Sequence, residues 1–172
     1  MYRLRSSGSD ITVEAKGCLS YQGKRTNVIA LTPEPEFWLA ALIWAESRGE
    51  SLAGQAAVGQ VVLNRVNDSR FNNSIVDVVF ESTKSASGKT IWQFSCVLDG
   101  HIFEAWQDLN FSNYLLLAKS LLADTMLDKS LITALGFFNP IKVQAIDPNK
   151  SNWVWKQPVL KQIGNHVFFT IP

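Results

Sequence analysis

The sequence predicts a mainly α-helical domain (α+β in detail) with a small β element near its C-terminus. Helical periodicity runs through about residues 35–48, 52–66 and 111–127, and a short helix or turn is expected at 75–80. The tail, residues 153–169, reads as short strands. A chain of 172 residues suits one domain with a substantial core, preceded here by a lead-in segment, residues 1–35.

The composition narrows the classes of function. The chain is 47% hydrophobic and 18% charged, whereas ordinary domains are about 25% charged, so we expect an uncharged surface or an apolar groove. A net charge of +1 argues against a nucleic-acid-binding protein. No apolar run approaches the roughly 20 residues of a membrane-spanning helix. Residues 6–10 are polar where a secretion signal would be apolar, so we expect action inside a cell or release without a cleaved signal.

The order of elements begins with the lead-in. Residues 6–10 have a flexible composition and residues 11–13 suit a short strand. Pro35 suits the first turn of helix one, which is apolar nearly all round and therefore expected to be central. Ser51 is expected to cap helix two. Gly54 and Gly59 within that helix would allow another backbone to approach closely.

Glu46 is the strongest candidate for a chemical role. It lies in the last turn of helix one, where the helix dipole disfavours a carboxylate by a few tenths to about 1 kcal/mol. Its neighbours Ile43, Trp44 and Ala45 are apolar. Both effects favour the protonated form, which is the form that a general acid needs. The alternative is a surface glutamate that pairs with Arg48 or with the amide of a helix N-terminus.

The second half of the chain allows more than one interpretation. In residues 91–100, aromatic and amide side chains interleave, which suits a sugar-binding wall or a buried aromatic turn. Trp153 and Trp155 are expected on one face of a strand, as the floor of a groove or as core. Residues 141–152 are expected to form a polar loop. The helix at 111–127 is expected to bury one stripe of residues, namely Leu115, Ala118, Leu122 and Met126.

Several kinds of site find no support in the sequence. No phosphate-binding glycine loop, HExxH or CxxC pattern is present, so we expect no cofactor and no metal. Cys96 and His166 could form a cysteine-nucleophile pair, but Cys96 lies in an apolar run and no orienting residue is evident. Cys18 and Cys96 are too few for a disulfide scaffold. A histidine such as His166 is more often structural than a base.

Several blocks of sequence, in matching order, resemble the spore-cortex-lytic, or cell-wall hydrolase, family. The similarity covers about residues 37–171. The blocks are AESRGE (45–50), GQAAV (54–58), VLNRV (62–66), QFS (93–95) with DG (99–100), FNP (138–140), WVW (153–155) and QIGNHVF (162–168).

The resemblance implies a lysozyme-like, mainly helical domain over residues 36–172 that cleaves peptidoglycan glycan strands. In that family the first glutamate of the motif is the catalytic acid/base, and this position is Glu46. Glu50 is expected in a supporting role at the substrate site, ordering the loop or bonding Arg65 or a backbone amide. Ser47 stands where the family usually has alanine. With Ser47, the segment resembles the Glu-Ser pair of other lytic transglycosylases. The remaining residues expected to bind substrate are Gln93, Phe94, Ser95, Asn139, Trp155 and His166.

The resemblance favours a lytic transglycosylase that leaves a 1,6-anhydro product. The alternatives are a hydrolytic muramidase of the same fold and a non-catalytic wall-binding module. We expect a monomer whose partner is the peptidoglycan glycan strand, with no nucleic acid and no membrane span. The family's spore members carry a separate peptidoglycan-binding repeat domain, for which residues 1–35 are too short. The sequence is therefore interpreted as an enzyme of the bacterial cell wall, with a phage endolysin or virion-borne lysin as the hypothesis that its domain content suggests.

Overall fold

The structure is a computed structural model that describes residues 33–172 in full and, before them, only the backbone of four strands. The strands pair antiparallel in sequence order as one sheet: β1 (Tyr2–Ser6), β2 (Ser9–Val13), β3 (Leu19–Tyr21) and β4 (Lys24–Arg25). The strand expected at residues 11–13 is confirmed as part of β2. Residues 7 and 8 of the polar stretch and Cys18 lie outside the described residues. Contacts divide the chain into two compact units, Met1–Glu34 and Pro35–Pro172.

Two helices form the centre of the second unit, and their bounds confirm the sequence prediction closely. α1 (Pro35–Ser47) begins at a proline, whose fixed φ suits a first turn, and residues 39–44 are all buried. α2 (Leu52–Val66) begins where the Ser51 hydroxyl accepts a hydrogen bond from the backbone N–H of Gly54 at 3.3 Å. The turn between the two helices carries Glu50.

Gly59 lets α1 and α2 meet α5 (Phe111–Leu122) at close range. A Cβ atom at Gly59 would lie 2.6 Å from Leu121 Cδ1 and 2.8 Å from Ile43 Cδ1, too close for any larger residue without a shift. The glycine is a point of tight packing, where the sequence predicted the approach of another backbone. Its neighbours there are side chains, however, and not another backbone.

α5 is shorter than predicted, and of the predicted stripe Ala118 is buried and Leu115 is partly buried against the core. It ends at Leu122, and Asp124 then adopts a φ of +57°, a conformation that does not continue a helix. The buried residues of α5 are Phe111, Leu117, Ala118 and Leu121. The predicted stripe is wrong for Leu122 and Met126, which are 43% and 37% exposed, because the helix stops before Met126 can join its face.

Polar side chains of α2 hold the segment that leads into the C-terminal sheet. Gln60, Asn64 and Arg65 donate hydrogen bonds to backbone carbonyl groups of residues 128–135, at 2.8–2.9 Å. Gln60 and Arg65 are buried, so these bonds satisfy groups that would otherwise be costly to remove from water. The segment includes a 3-10 turn at Lys129–Leu131.

The middle of the chain consists of short elements rather than one continuous wall. Residues 91–100 divide between the end of a hairpin and a helical turn. Within them the Phe94 side chain is 4% exposed, whereas Gln93 is exposed. The elements are α3 (Ile75–Val79), β5 (Ser82–Lys84), β6 (Thr90–Trp92), α4 (Ser95–Leu98) and 3-10 turns at His101–Phe103 and Ala105–Gln107.

The C-terminal part forms a three-stranded antiparallel sheet in the order β7-β9-β8. Its strands are β7 (Gly136–Phe138), β8 (Val159–Ile163) and β9 (His166–Phe169). The prediction of a loop throughout 141–152 is wrong, because Pro140 starts a helix, α6 (Pro140–Ile146), whose N-terminus the Asn139 side chain caps.

The expected strand at Trp153 and Trp155 is also wrong. Both residues lie in a 3-10 turn, Trp153–Lys156, so they do not alternate as strand residues would. Trp155 packs edge-to-face on Phe138 with ring centroids 5.0 Å apart, and Trp153 packs on Phe169 at 5.7 Å while staying 53% exposed.

The predicted fold class is confirmed: the unit is mainly helical, with small antiparallel sheets that include the one near the C-terminus. The helices of the described residues are all too short or too polar to span a bilayer. The end of α1, the start of α4, the start of α6 and the turn between β8 and β9 converge on one cleft.

Candidate active site

The cleft has a volume of about 520 Å³ and opens to solvent. It is bordered by five residues that the sequence predicted for the site: Glu46, Glu50, Ser95, Asn139 and His166. Three acidic side chains border it, Glu46, Glu50 and Asp99, together with the basic side chains of Arg48 and Lys142.

Glu46 stands in the last turn of α1, half-buried, and its carboxylate has little to hold it. Its Oε1 atom accepts one hydrogen bond, from the backbone N–H of Cys96 in the first turn of α4, at 3.2 Å. Among the described residues, no hydrogen bond reaches the other carboxylate oxygen. The Cys96 thiol is a further polar neighbour of this carboxylate, and Glu46 itself borders the cleft.

Of the two partners considered for a structural Glu46, the structure shows the amide and not Arg48. The Arg48 guanidinium lies over the Trp44 ring, 4.5 Å from its centroid, and Nη1 reaches the Ala45 carbonyl at 3.4 Å. Trp44 in turn donates from Nε1 to Asp108 at 2.6 Å. The Arg48 guanidinium thus borders the cleft with partners other than the Glu46 carboxylate.

By contrast, both carboxylate oxygens of Glu50 accept hydrogen bonds. Oε2 accepts a hydrogen bond from the Asn165 backbone N–H at 3.1 Å and Oε1 one from Asn165 Nδ2 at 2.9 Å, so both oxygens bind a residue 115 positions away. A Cβ at Gly164, whose φ is +58°, would lie 2.0 Å from Oε2, which leaves glycine as the fitting residue. The carboxylate thus ties the turn before α2 to the turn between β8 and β9, which confirms the expected backbone amide and not Arg65 as its partner.

The surroundings of Glu50 keep it ionised. Burial by itself raises the pKa of this carboxyl, but the side-chain and backbone hydrogen bonds from Asn165, with His166 and Lys142 nearby, outweigh it. The net pKa of Glu50 lies below its ordinary value. A carboxylate that is ionised and fully hydrogen-bonded is unsuited to deliver a proton.

His166 begins β9 and borders the cleft while remaining 93% buried (7% exposed). Its Nδ1 atom has no hydrogen-bond partner among the described residues and lies 3.9 Å from Glu50 Oε1. Burial lowers the pKa of His166; Glu50 and Glu46 oppose that effect, Lys142 adds to it, and the net pKa lies below the ordinary value. The imidazole is therefore neutral at pH 7.

Asn139 and Ser95 meet the cleft in different ways. The Asn139 Oδ1 atom is engaged, because it accepts hydrogen bonds from the backbone N–H groups of Ile141 and Lys142 at 3.0 and 3.1 Å. Its amide nitrogen remains to contact a ligand. Ser95 is exposed at the first position of α4.

The structure does not bring Gln93, Phe94 or Trp155 to the cleft. Phe94 packs inside the domain, where the Arg65 guanidinium lies over its ring at 5.0 Å. Gln93 is exposed outside the residues that border the cleft. Trp155 donates from Nε1 to Asp147 at 3.1 Å and packs on Phe138. The aromatic-rich stretches thus serve the core more than a sugar-binding surface.

Arg65 of the VLNRV segment is a buried structural cation. Its guanidinium lies between the rings of Phe71 and Phe94, each at 5.0 Å, and Nε donates to the Leu135 carbonyl at 2.8 Å. Burial lowers the pKa of Arg65 to about 10, with Glu81 acting in the opposite direction. Arg65 supports Phe94, the residue from which α4 starts, and so supports the amide that binds Glu46.

The Cys96 thiol is inert in this arrangement. Burial, with the Glu46 carboxylate nearby, raises its pKa well above the usual range, so the sulfur stays protonated. This removes support from a Cys96–His166 nucleophile pair. Among residues 33–172, no group of three or more His, Cys, Asp or Glu side chains is placed to hold a metal ion.

Sequence reasoning missed the part played by Asn165. The Gly164-Asn165 pair is a recognisable hairpin-turn signal, but nothing local indicates that the turn binds a carboxylate from the other end of the chain. Lys142 was missed because its segment was interpreted as a loop, whereas α6 sets it at the edge of the cleft.

Comparison with known proteins places these features in a family. The model of the cell wall hydrolase family matches residues 49–169, starting just after Glu46. The spore cortex-lytic enzyme of Bacillus cereus is 33% identical over 149 residues, which are 86% of this chain and 49% of that protein. The enzyme of the same name from Bacillus subtilis is 33% identical over 132 residues, 76% of this chain and 35% of that protein. The chain thus spans about half or less of the length of these relatives.

Two solved structures are also similar. The catalytic domain of the germination-specific lytic transglycosylase SleB from Bacillus anthracis is 30% identical with a TM-score of 0.58, covering 83% of this chain and 100% of that one. The catalytic domain of Bacillus cereus SleB is 33% identical with a TM-score of 0.52, covering 86% and 99%. These relatives are spore enzymes and lend no support to the phage-lysin hypothesis. The matches confirm the resemblance seen in the sequence, and the chain belongs to the cell wall hydrolase family.

Proposed function

We propose that residues 36–172 cleave peptidoglycan glycan strands between N-acetylmuramic acid and N-acetylglucosamine, as a lytic transglycosylase. The relatives named above support the reaction class. The observation that carries the proposal is the contrast within the cleft: Glu46 has one backbone hydrogen bond, at one oxygen, whereas Glu50 has both oxygens occupied. Of these two glutamates, Glu46 is the one whose carboxyl is suited to exchange a proton with a substrate.

Glu46 acts twice in the proposed reaction. Protonated Glu46 donates its proton to the glycosidic oxygen, the bond from that oxygen to the muramoyl C1 breaks, and an oxocarbenium-like state forms. The Glu46 carboxylate then takes the proton of the muramoyl 6-hydroxyl while O6 bonds to C1. The product ends in a 1,6-anhydro ring, Glu46 returns to its protonated form, and no water is consumed.

The hydrogen bonds of Glu50 favour the lyase reaction over hydrolysis. A hydrolase of this kind uses a second carboxylate as nucleophile or to activate water. Glu50 is committed to Asn165, so we assign it a supporting role as a clamp between two turns. Asp99 is the remaining acidic residue at the cleft; it is exposed, and its Oδ1 accepts from the His101 backbone N–H at 3.1 Å.

The substrate contacts follow from the residues that reach the cleft. Ser95, the Asn139 amide nitrogen and His166 are proposed to bond sugar hydroxyl or acetamido groups. The partner is a peptidoglycan glycan strand, and the site of action is the bacterial cell wall or spore cortex. The monomeric state stays a prediction.

The test is mass spectrometry of glycan products. The full chain is incubated with purified vegetative peptidoglycan and with spore cortex, beside Glu46→Gln. We expect anhydromuropeptides from the wild type and none from E46Q. Wild-type turnover by E46Q would remove Glu46 from its role.

The same digest distinguishes the alternatives. Reducing muramoyl ends would make the protein a hydrolase and Asp99 the candidate second carboxylate, to be checked with Asp99→Asn. If no wall type is cleaved, the remaining interpretation is a non-catalytic wall-binding module.

A further inference from the structure

His166 is the buried titratable group at the cleft that the reaction above leaves without a chemical task. It is 93% buried (7% exposed), yet its Nδ1 finds no partner within hydrogen-bond distance among the described residues. The ring is held by Phe137 and Phe168, with centroids 5.2 and 6.3 Å away and both nearly perpendicular to it. A rigidly held imidazole at the cleft can orient a ligand, which a mobile surface side chain cannot do as well.

We propose that His166 is a positioning residue for the lyase step: its Nδ1–H faces Glu50, and its Nε2 lone pair accepts a hydrogen bond from the attacking muramoyl 6-hydroxyl. This inference rests on the proposed function. It assigns His166 to one atom of the substrate rather than to general sugar binding.

The tautomer follows from the environment of Nδ1. A neutral imidazole carries its proton on one nitrogen, and the partner of the other nitrogen decides which. Nδ1 lies 3.9 Å from the ionised Glu50, an acceptor-only group. A lone pair there would face a negative charge, whereas an N–H is attracted to it. The proton therefore resides on Nδ1, and Nε2, the other nitrogen of this cleft-bordering residue, is left as the acceptor.

Other groups of the cleft fit this task less well. The Lys142 ammonium and the Asn139 amide nitrogen are donors only, and Asn139 Oδ1 is occupied by the start of α6. The Ser95 hydroxyl is exposed and can rotate. Among these four groups, only the imidazole pairs a fixed direction with an unoccupied acceptor.

The consequence concerns which hydroxyl attacks C1. With its single hydrogen directed to Nε2, O6 is held over C1. As the bond from C1 to the leaving oxygen breaks, the hydroxyl turns about the C6–O6 bond and gives up its hydrogen bond to Nε2, and its proton passes to the Glu46 carboxylate while O6 bonds to C1. His166 remains neutral throughout, so no proton is gained or lost beyond the exchange with Glu46. Without this hydrogen bond O6 is less often in place, and water competes for the oxocarbenium-like state.

Two neutral amides separate the roles of the two nitrogens. His166→Gln can place its carbonyl oxygen near the position of Nε2, whereas His166→Asn reaches only the position of Nδ1. A misplaced reacting atom costs up to about 10²-fold in rate, so we expect H166N to lose about that much kcat and H166Q to stay within about 10-fold of wild type. The share of reducing, water-derived ends should rise in H166N and not in H166Q.

The pH profile gives a further readout. Glu50, Glu46 and Lys142 are the charged groups that act on this imidazole. Protonation converts Nε2 into a donor, so wild-type kcat should fall on the acid side through the pKa of His166, and H166Q should lack that component. The chain has two histidines, and His101→Gln should keep it.

The wild-type protein alone can also decide the matter if the variants do not fold. Nitrogen-15 spectra of the imidazoles at pH 7, with His101 assigned through H101Q, should show His166 as the neutral Nδ1–H tautomer. An Nε2–H tautomer or an imidazolium would overturn the proposal, as would equal kcat and equal product ratios in H166N, H166Q and wild type. Wild type without anhydro products would instead remove the proposed function on which it rests.

Discussion

The end of α1 and the turn that follows it carry two glutamates, Glu46 and Glu50, in very different surroundings. Glu46 receives one hydrogen bond, from a backbone N–H of α4. Glu50 receives two from Asn165 and faces His166, with a side chain 9% exposed. Two glutamates four residues apart in sequence thus differ in the number of hydrogen bonds that their carboxylates accept.

The difference teaches how a carboxylate is assigned to chemistry or to structure. Hydrogen bonds to the charged form stabilise it and raise the cost of protonation. A fully bonded carboxylate therefore stabilises the fold through its charge, and a sparsely bonded one can gain and lose a proton. Activity should accordingly depend on Glu46 and stability on Glu50, and each prediction below tests one side of that division.

The largest expected effect is on activity. Glu46→Gln retains an oxygen for the Cys96 N–H but has no acidic proton, so glycan cleavage should fall by about 10²–10⁴-fold, the usual contribution of a general acid or base. The unfolding free energy should stay within about 0.5 kcal/mol of wild type, because glutamine has nearly the same size and keeps the oxygen that accepts from Cys96. Reducing-end and anhydro-end assays with urea unfolding measure both, and Glu104→Gln, at an exposed position, is the matched control. A fall in activity that is accompanied by a large fall in unfolding free energy would contradict the assignment of Glu46 to activity rather than to stability.

The next effect is on stability. Glu50→Ala removes both hydrogen bonds to Asn165, and bonds to charged groups contribute about 1.5–3 kcal/mol each when buried. Asn165 is exposed, so water replaces part of the loss and we expect a decrease of about 2 kcal/mol in unfolding free energy. Glu104→Ala, which removes an exposed carboxylate, should change it by less than about 0.5 kcal/mol. Equal stabilities for E50A and E104A would show that the clamp contributes nothing.

The pH dependence of the clamp is a smaller effect with a defined sign. Because the pKa of Glu50 is lower in the folded protein than in the unfolded chain, its stabilisation is complete above the ordinary carboxyl pKa of about 4.3. It is lost as the pH falls through the lower, folded pKa. The gap in unfolding free energy between H166Q and H166Q/E50A should therefore be constant from about pH 5 to 7 and should narrow as the pH falls below about 4.3. Using H166Q removes the imidazole titration from the comparison, and a gap that widens in acid would refute the assignment.

The same contrast explains how far the sequence alone could lead. Helical periodicity, Pro35 and Ser51 are local signals, so the bounds of α1 and α2 and the place of Glu46 at the end of α1 could be predicted. The tie from Glu50 to Asn165 joins residues 115 positions apart, and no local pattern encodes it.

The errors have two different origins. A helix capped by Asn139, α6, lies where the sequence predicted a polar loop. A 3-10 turn, Trp153–Lys156, lies where alternating residues predicted a strand. Phe94 lies in a stretch whose composition suits a sugar-binding groove, but its ring packs inside the domain, where the Arg65 guanidinium lies over it. The first two elements follow local signals that the sequence interpretation passed over, a capping asparagine before each of them. At Phe94 a tertiary contact decides the position.

The smallest expected effect concerns Ser47, the neighbour of Glu46. Its hydroxyl donates to the Ile43 carbonyl at 2.6 Å, one turn back along α1, and the residue is 3% exposed. A hydroxyl bonded in this way slightly destabilises a helix, and alanine is the better helix former. Ser47→Ala should therefore change the unfolding free energy by about 0.5 kcal/mol or less, in either direction, and leave kcat within about twofold. Urea unfolding and anhydromuropeptide release check both values. A tenfold fall in kcat at unchanged stability would mean that the hydroxyl turns from Ile43 to the substrate, and the partners of Glu46 would then have to include it.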